Sequence, residues 1–247
     1  MLTPTENFIS HLIELRSRLL RIVVGLLLVF LVLFPFANEI YALLAKPLIN
    51  QLPSGGQMIA TAVTTPFFVP MKVAMMTAFV ISLPHTLYQI WAFVAPGLYT
   101  QEKKIMLPVL VASSFLFFAG MAFAYFLVFP VVFGFIVGIA PQDVAVMTDI
   151  GSYLDFVITL FLAFGIAFEV PVAVVIAVRF GWVSISALQE ARSYVVVGAF
   201  VLGAIFTPPD IISQFMLAIP MWLLYELGIL VAKIIKQKTE PAILPIE

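Results

Sequence analysis

Hydrophobic residues in this chain run in long blocks separated by short polar stretches, and the blocks place its elements. The fourth block, 153–180, reads YLDFVITLFLAFGIAFEVPVAVVIAVRF and organises the rest. Its residues 156–178 run apolar with Glu169 as the one charged break, and at about 1.5 Å per residue they are long enough to cross a hydrocarbon core of about 30 Å. Other spans are predicted at about 20–36, 70–93, 105–137 and 211–231. A short one is predicted at 194–206. Prolines at 35, 108, 130 and 171 are expected to end or kink their helices, the last beside Glu169. Residues 1–19 carry apolar positions at 8, 12, 15 and 19, the stripe of a helix lying at the interface. Between the first two spans, 41–49 reads as a short amphipathic helix, 53–56 as a turn and the Thr-rich remainder as extended.

The fifth span offers only 13 residues, about 20 Å of helix. Unless it gains a turn from 185–193, the hairpin tip at Thr207-Pro208-Pro209-Asp210 stops short of the far surface. Asp210 and Gln214 then thin the bilayer or seek a polar partner. Such an under-height wall and a carboxyl group at mid-depth together predict a cupped bundle.

Composition agrees with this pattern. The 247 residues are 63% hydrophobic and 10% charged, with a mean hydropathy of +1.16, which excludes an ordinary soluble core. The expectation is an all-α polytopic membrane protein: one domain of six transmembrane helices over 1–232 and a basic, disordered tail over 233–247. An N-terminal apolar run after Arg16, Arg18 and Arg21 lacks a small-residue cleavage site and reads as a retained first span. Charge sets the orientation. Arg16, Arg18, Arg21, Lys103, Lys104, Arg179, Arg192, Lys233, Lys236 and Lys238 fall on one side of the six crossings, and Lys46 and Lys72 on the other, so both termini are expected to be cytoplasmic. The absence of cysteine excludes disulfides and thiolate metal sites.

Candidate chemistry is sparse. The chain has no GxSxG, HExxH, P-loop or dinucleotide glycine pattern, and nothing suggests an enzyme or a cofactor. His11 and Glu14 share a helix face, but two ligands do not make a metal site. Glu169 has two readings. Holding it neutral at pH 7 costs about 3.7 kcal/mol from an unperturbed pKa near 4.3, and burying it ionised and unpaired costs at least as much. It is therefore either a neutral group bonded to a neighbouring helix or a carboxylate lining a solvated concavity. The second option, with His85, also fits a proton-coupled small-solute transporter. Glu14 and Glu102 lie among cations on the cytoplasmic side, in HLIELRSR and LYTQEKK. They form either local solvated salt bridges of about 0–1 kcal/mol or an acidic site for a cationic ligand, with Phe93 and Leu98 as apolar neighbours. A peptide with arginines ahead of an apolar segment suits the latter.

HLIELRSRLL at 11–20, KPLINQLP at 46–53, YQIWAFVAPGLYTQEKK at 88–104, GMAFAYFLVFP at 120–130, SYLDFVITLFLAFGIAFEVPVAV at 152–174 and GAFVLGAIFTPPDIISQFMLAIPM at 198–221 resemble the TatC family. These motifs cover the chain apart from its tail, in the family's order. The resemblance implies a multispanning receptor subunit of the twin-arginine translocase in the bacterial cytoplasmic (inner) membrane. It implies binding of the twin-arginine signal peptides of folded precursors, recruitment of TatB and TatA in a multi-copy complex, and use of the proton-motive force without nucleotide. By motif, Glu14 and Glu102 would contact the arginines, with Arg16, Phe93 and Leu98 in the same patch. Pro47, Tyr125, Glu169 and Asp210 match other sensitive positions, and Thr207 and Gln214 fall on a face that would dock partner helices. Ala204 stands where relatives can carry methionine, so that contact does not carry over.

Overall fold

The computed structural model describes residues 4–52, 57–94, 106–139, 147–207 and 211–239. Ten α-helices and one two-stranded sheet are found among them. Five helical stretches are long and apolar enough to cross a membrane: Ile9–Ile49, Thr65–Ile90, Leu107–Gly138, Ile150–Arg179 and Ile211–Gln237. A sixth apolar helix, Arg192–Phe206, is shorter. The chain packs as two compact units, one of Met1–Phe115 with Pro141–Ile158, the other of Leu116–Ala140 with Thr159–Glu247.

In the first unit, α1 (Pro4–Leu33) runs without a break from the expected interfacial stripe into the first span. Pro35 does not end the helix. It tightens one turn, Phe34–Phe36, to 3₁₀ geometry, and α2 (Ala37–Ile49) follows directly. A 3₁₀ turn needs no donor from the proline, so the chain stays helical around it. Helix α3 (Thr65–Val94) starts earlier than expected, because Pro66 falls in its first turn, where a missing N–H costs nothing. It packs antiparallel to α1, as the pairing of Phe93 with His11 and of His85 with Gly25 shows. Val69, Val73, Ala74 and Ala78 of α3 and Leu44, Ala45 and Leu48 of α2 are buried. The Tyr153 hydroxyl, also buried, donates to the Leu44 carbonyl at 2.6 Å, one turn from Pro47.

A small sheet closes this unit. Strand β1 (Met58–Ile59) pairs in parallel with β2 (Thr148–Asp149), in the stretch expected to be extended. Asp149 then caps α6 (Ile150–Phe168): its Oδ1 accepts from the N–H groups of Gly151 and Ser152 at 3.0 and 2.9 Å. Its Oδ2 accepts from the Thr61 N–H and hydroxyl at 3.0 and 2.8 Å. One carboxylate thus caps a helix and holds the loop 88 residues earlier. Nearby, Lys72 and Asp155 pair at 2.7 Å in the open.

The second unit begins inside the third crossing, α4 (Met106–Phe123) and α5 (Phe129–Gly138). Pro108 produces no interruption, because it too lies in a first turn. Pro130 does. Ahead of it, Ala124–Val128 opens into a π turn in which the Phe129 N–H reaches back five residues to the Ala124 carbonyl. The wider turn absorbs the donor that proline lacks. Phe129, Phe133 and Phe161 pack around this point with ring centroids 5.0–5.6 Å apart. Gly120 lets α4 meet α6, since a Cβ there would lie 2.5 Å from the Phe164 carbonyl oxygen.

Helix α6 stops at Phe168, and α7 (Val170–Arg179) resumes with Pro171 in its first turn, so the expected break sits at Glu169. Helix α8 (Ile185–Glu190), capped by the Ser184 hydroxyl, leads into α9 (Arg192–Phe206). The short span therefore gains only two residues and measures about 22 Å. Helix α10 (Ile211–Thr239) buries Tyr225, Ile229 and Ala232 with Val174 of α7. It continues past the expected end at 231, so 233–239 are helical rather than a disordered tail; 240–247 lie outside the described residues.

The bonds to Asp149 hold its carboxyl well below the ordinary value of 3.8, the Ser152 N–H contributing most and the Thr61 N–H next. A depressed folded-state pKa adds stability that is complete above the unfolded value and is lost as pH falls below it. Asp149→Ala should therefore lower the melting temperature in detergent by a few degrees at pH 7. The difference from the parent should shrink once the pH is taken below about 3.8. A pH-independent difference would contradict this role.

Candidate functional site

Glu14 lies on α1 one turn before Arg18, the spacing at which side chains on a helix meet. Its Oε1 accepts from Arg18 Nη2 at 2.6 Å and from Nε at 2.9 Å. Arg18 Nη1 also points to Gln89 Oε1 on α3, at 3.4 Å. Gln89 is buried, while the side chains of Glu14 and Arg18 are 34% and 18% exposed, so the pair sits in a shoulder and not in open solvent. One turn toward the N-terminus, the His11 ring stacks on Phe93 with centroids 4.2 Å apart. The paired ends of α1 and α3 therefore collect a carboxylate, a guanidinium, a buried amide and an aromatic shelf. Arg16 is exposed and, two residues from Glu14, does not share its face. Leu98 and Glu102 lie outside the described residues.

In the second unit, Glu169 is half-buried at the junction of α6 and α7. A concavity of about 560 Å³ opens beside it, bounded by α6, α7, α9 and α10. It is not wet in character. Leu162, Ile166, Val170, Leu202, Phe206 and Met221 line it, and among the described residues Thr159 is the only polar one in its wall. The acid and the hollow expected to coincide are thus neighbours, with the Glu169 side chain outside the lining.

Thr207 and Gln214 are brought together by α9. The Thr207 hydroxyl donates to the Gly203 carbonyl at 2.7 Å, and Gln214 Nε2 to the Phe200 carbonyl at 2.9 Å. Gly203 makes room, since a Cβ there would come within 3.0 Å of Gln214 Cγ. Gln214 thereby fastens α10 to α9, while Thr207 closes the last turn of α9. Asp210 lies outside the described residues. Pro47 is buried in α2, and Tyr125 sits in the π turn, its ring edge-on to Phe126 at 4.9 Å and to Phe129 at 6.3 Å.

The local salt bridge expected as one reading of Glu14 is present, with Arg18 as the partner that sequence reasoning did not single out, and Gln89 was not connected to it. The four-residue spacing from Glu14 to Arg18 was a usable signal; the bond to Gln89 was not, because it depends on the α1–α3 register. His11 goes to Phe93, and no cluster able to hold a metal ion occurs among the described residues.

The comparisons agree with one another. Residues 10–220 match the family model for the Sec-independent protein translocase protein TatC. The chain is a member of the TatC family. It is 53% identical over 234 residues to TatC of Azotobacter chroococcum mcd 1, covering 95% of this chain and 92% of that one. It is 54% identical over 225 residues to TatC of Escherichia coli (strain K12), covering 91% and 87%. A crystal structure described as the twin arginine translocase receptor TatC superposes with a TM-score of 0.78 at 36% identity, covering 92% of this chain and 99% of that one. Membership of a protein-translocase family, with several apolar helices, makes this a multi-pass membrane component of that transport system. The small-solute transporter reading is not favoured.

As in other membrane bundles, an interhelical hydrogen bond within this TatC chain should be modest. Gln214→Leu removes the bond to Phe200 and should destabilise the α9–α10 hairpin by about 0.6 kcal/mol, at most about 1.7. Faster hydrogen exchange along 192–206 with little change elsewhere is the expected readout.

Proposed function

We propose that this TatC-family chain is the signal-peptide receptor and core scaffold of the twin-arginine export system, with both termini in the cytoplasm. It binds Arg-Arg signal peptides of folded precursors and recruits TatB and TatA for translocation driven by the proton-motive force. The observation that supports this most directly is the state of Glu14. Its carboxylate already receives two N–H groups of a guanidinium at 2.6 and 2.9 Å, beside the Phe93 ring on the neighbouring helix. A site that fits one guanidinium has the charge and geometry for another.

Recognition then follows from side-chain chemistry. A guanidinium presents a planar fork of donors that a carboxylate accepts with two bonds, whereas an ammonium acts as a point charge. Glu14 takes one arginine of the pair and Glu102 the other. Arg16 borders the patch, and Phe93 and Leu98 receive the apolar stretch that follows the arginines. No bond is made or broken in this step, so the chain's own residues bind and orient, and translocation belongs to the assembly.

The hairpin and the apolar concavity provide the scaffold. The hollow bounded by α6, α7, α9 and α10 has the lining that a single apolar helix of TatB or TatA would meet. Glu169, Thr207, Asp210 and Gln214 serve as the polar positions that set such a helix in register, and contacts of this kind guide assembly more than they hold it. Pro47, in α2, and Tyr125, in the π turn after α4, are the remaining sensitive positions, one in each unit. Further copies of the chain join the working complex, and no nucleic acid or cofactor takes part.

Two experiments test this reading. Glu102→Arg should abolish crosslinking of the chain to an Arg-Arg signal peptide that itself carries the photoreactive residue, while the chain stays in the membrane. A Lys-Lys peptide should crosslink weakly to the parent. Unchanged crosslinking in Glu102→Arg would refute the role of that carboxylate. For Glu169, replacement by Gln should retain most export activity, because Gln donates and accepts as a protonated Glu does. Export as poor as that of Glu169→Ala would show that an ionised carboxylate is required.

A further inference from the structure

Under the receptor reading, Glu14 is the group that takes a ligand guanidinium, yet in the structure it already holds one. Arg18 places Nε and Nη2 on the same Oε1 oxygen, at 2.9 and 2.6 Å, with most of its side chain shielded. Its remaining arm lies 3.4 Å from the Oε1 of buried Gln89. We propose that Arg18 is an internal stand-in for the ligand's arginine. It occupies Glu14 in the resting receptor and must be displaced for a signal peptide to bind. The proposal rests on the receptor reading and adds to it a residue that sets the affinity threshold.

Two observations favour a displaceable occupant over a fixed structural pair. First, Arg18 has somewhere to go. Gln89 Oε1 is an acceptor on the neighbouring helix, already within reach, so the displaced guanidinium keeps a partner and is not stranded at the edge of the apolar region. Second, the pair lies within one helix, four residues apart. Such pairs are worth little, so the occupant holds its place only weakly. The competing contact is also of the same kind as the one it blocks, a guanidinium on a carboxylate, which adjusts affinity without adding a new recognition element.

Competition of this sort has a definite signature. If Glu14 is open for only a fraction of the time, the apparent affinity for every ligand falls by that fraction. Arg-Arg and Lys-Lys peptides are then penalised by the same factor. Their ratio is left to Glu14 and Glu102, and the weaker of the two is pushed below the working range. Arg18 sets the floor, and the carboxylates set the preference.

The test is binding of fluorescently labelled Arg-Arg and Lys-Lys signal peptides to the full chain in detergent, with thermal melts to confirm folding. Arg18→Gln should tighten the Arg-Arg peptide by about two- to fivefold, the range expected for losing one such pair. The Lys-Lys peptide should gain by the same factor. Arg18→Lys, which keeps the charge and folds wherever the charge is needed, should fall between the parent and Arg18→Gln. Arg21→Gln removes an exposed charge one turn further along α1 and should change neither affinity. In a Glu14→Gln background, Arg18→Gln should have no effect. If Glu14→Gln binds Arg-Arg as tightly as the parent, the receptor reading of Glu14 fails. If Glu14→Gln weakens binding but Arg18→Gln and Arg18→Lys leave it unchanged or weaken it too, that reading stands and the stand-in role is overturned. An equal gain from Arg21→Gln would overturn it as well, by showing a general charge effect.

Discussion

A backbone carbonyl in hydrocarbon has no water to bond, and each one left without a donor costs several kcal/mol. Proline withholds such a donor, and this chain carries 17 of them, several inside its helices. The local solutions differ in kind: a 3₁₀ turn at Phe34–Phe36, a π turn at Ala124–Val128 and an outright break at Glu169. The same requirement explains where the polar side chains go. Thr77, Ser82, Tyr153, Thr207, Gln214 and Tyr225 all donate to main-chain oxygens within their own unit. Tyr153, Gln214 and Tyr225 thereby tie one helix to another, while Thr77, Ser82 and Thr207 bond back to their own helix.

Against that background two carboxylates behave in opposite ways. Asp149 receives four hydrogen bonds at 3.0 Å or less from groups that define the loop and the start of α6, and its capacity is filled by the fold itself. Glu14 has its two short bonds from one long, flexible side chain. The first is part of the architecture. The second rests on a single side chain four residues away on the same helix.

The span positions were readable because hydrophobic length is a property of the sequence alone, and so was the interruption at Glu169, where an acid and a proline coincide. The shortness of α9 followed from counting. What could not be read depended on geometry between segments. Pro35 and Pro130 look alike in sequence, yet one compresses a turn and the other expands it, because different neighbours pack around them. Asp149 carries no local signal of its role, which needs the pairing of β1 with β2 to bring Thr61 beside it. Gln89 was visible as a polar residue in a span, but its approach to Arg18 needs the register of α3 on α1. The apolar wall of the concavity next to Glu169 also has no local signature, since its residues come from four helices.

Helix α1 has its main neighbour among the described residues in α3, and the large apolar side chains along it, such as Leu19, Leu28 and Leu31, stay exposed on the faces away from that neighbour. Thirty residues of helix make a stiff strut about 45 Å long. The strut is continuous with α2 through the 3₁₀ turn at Phe34–Phe36, so a rotation of about 10° about that turn would carry Glu14, some twenty residues away, through about 5 Å.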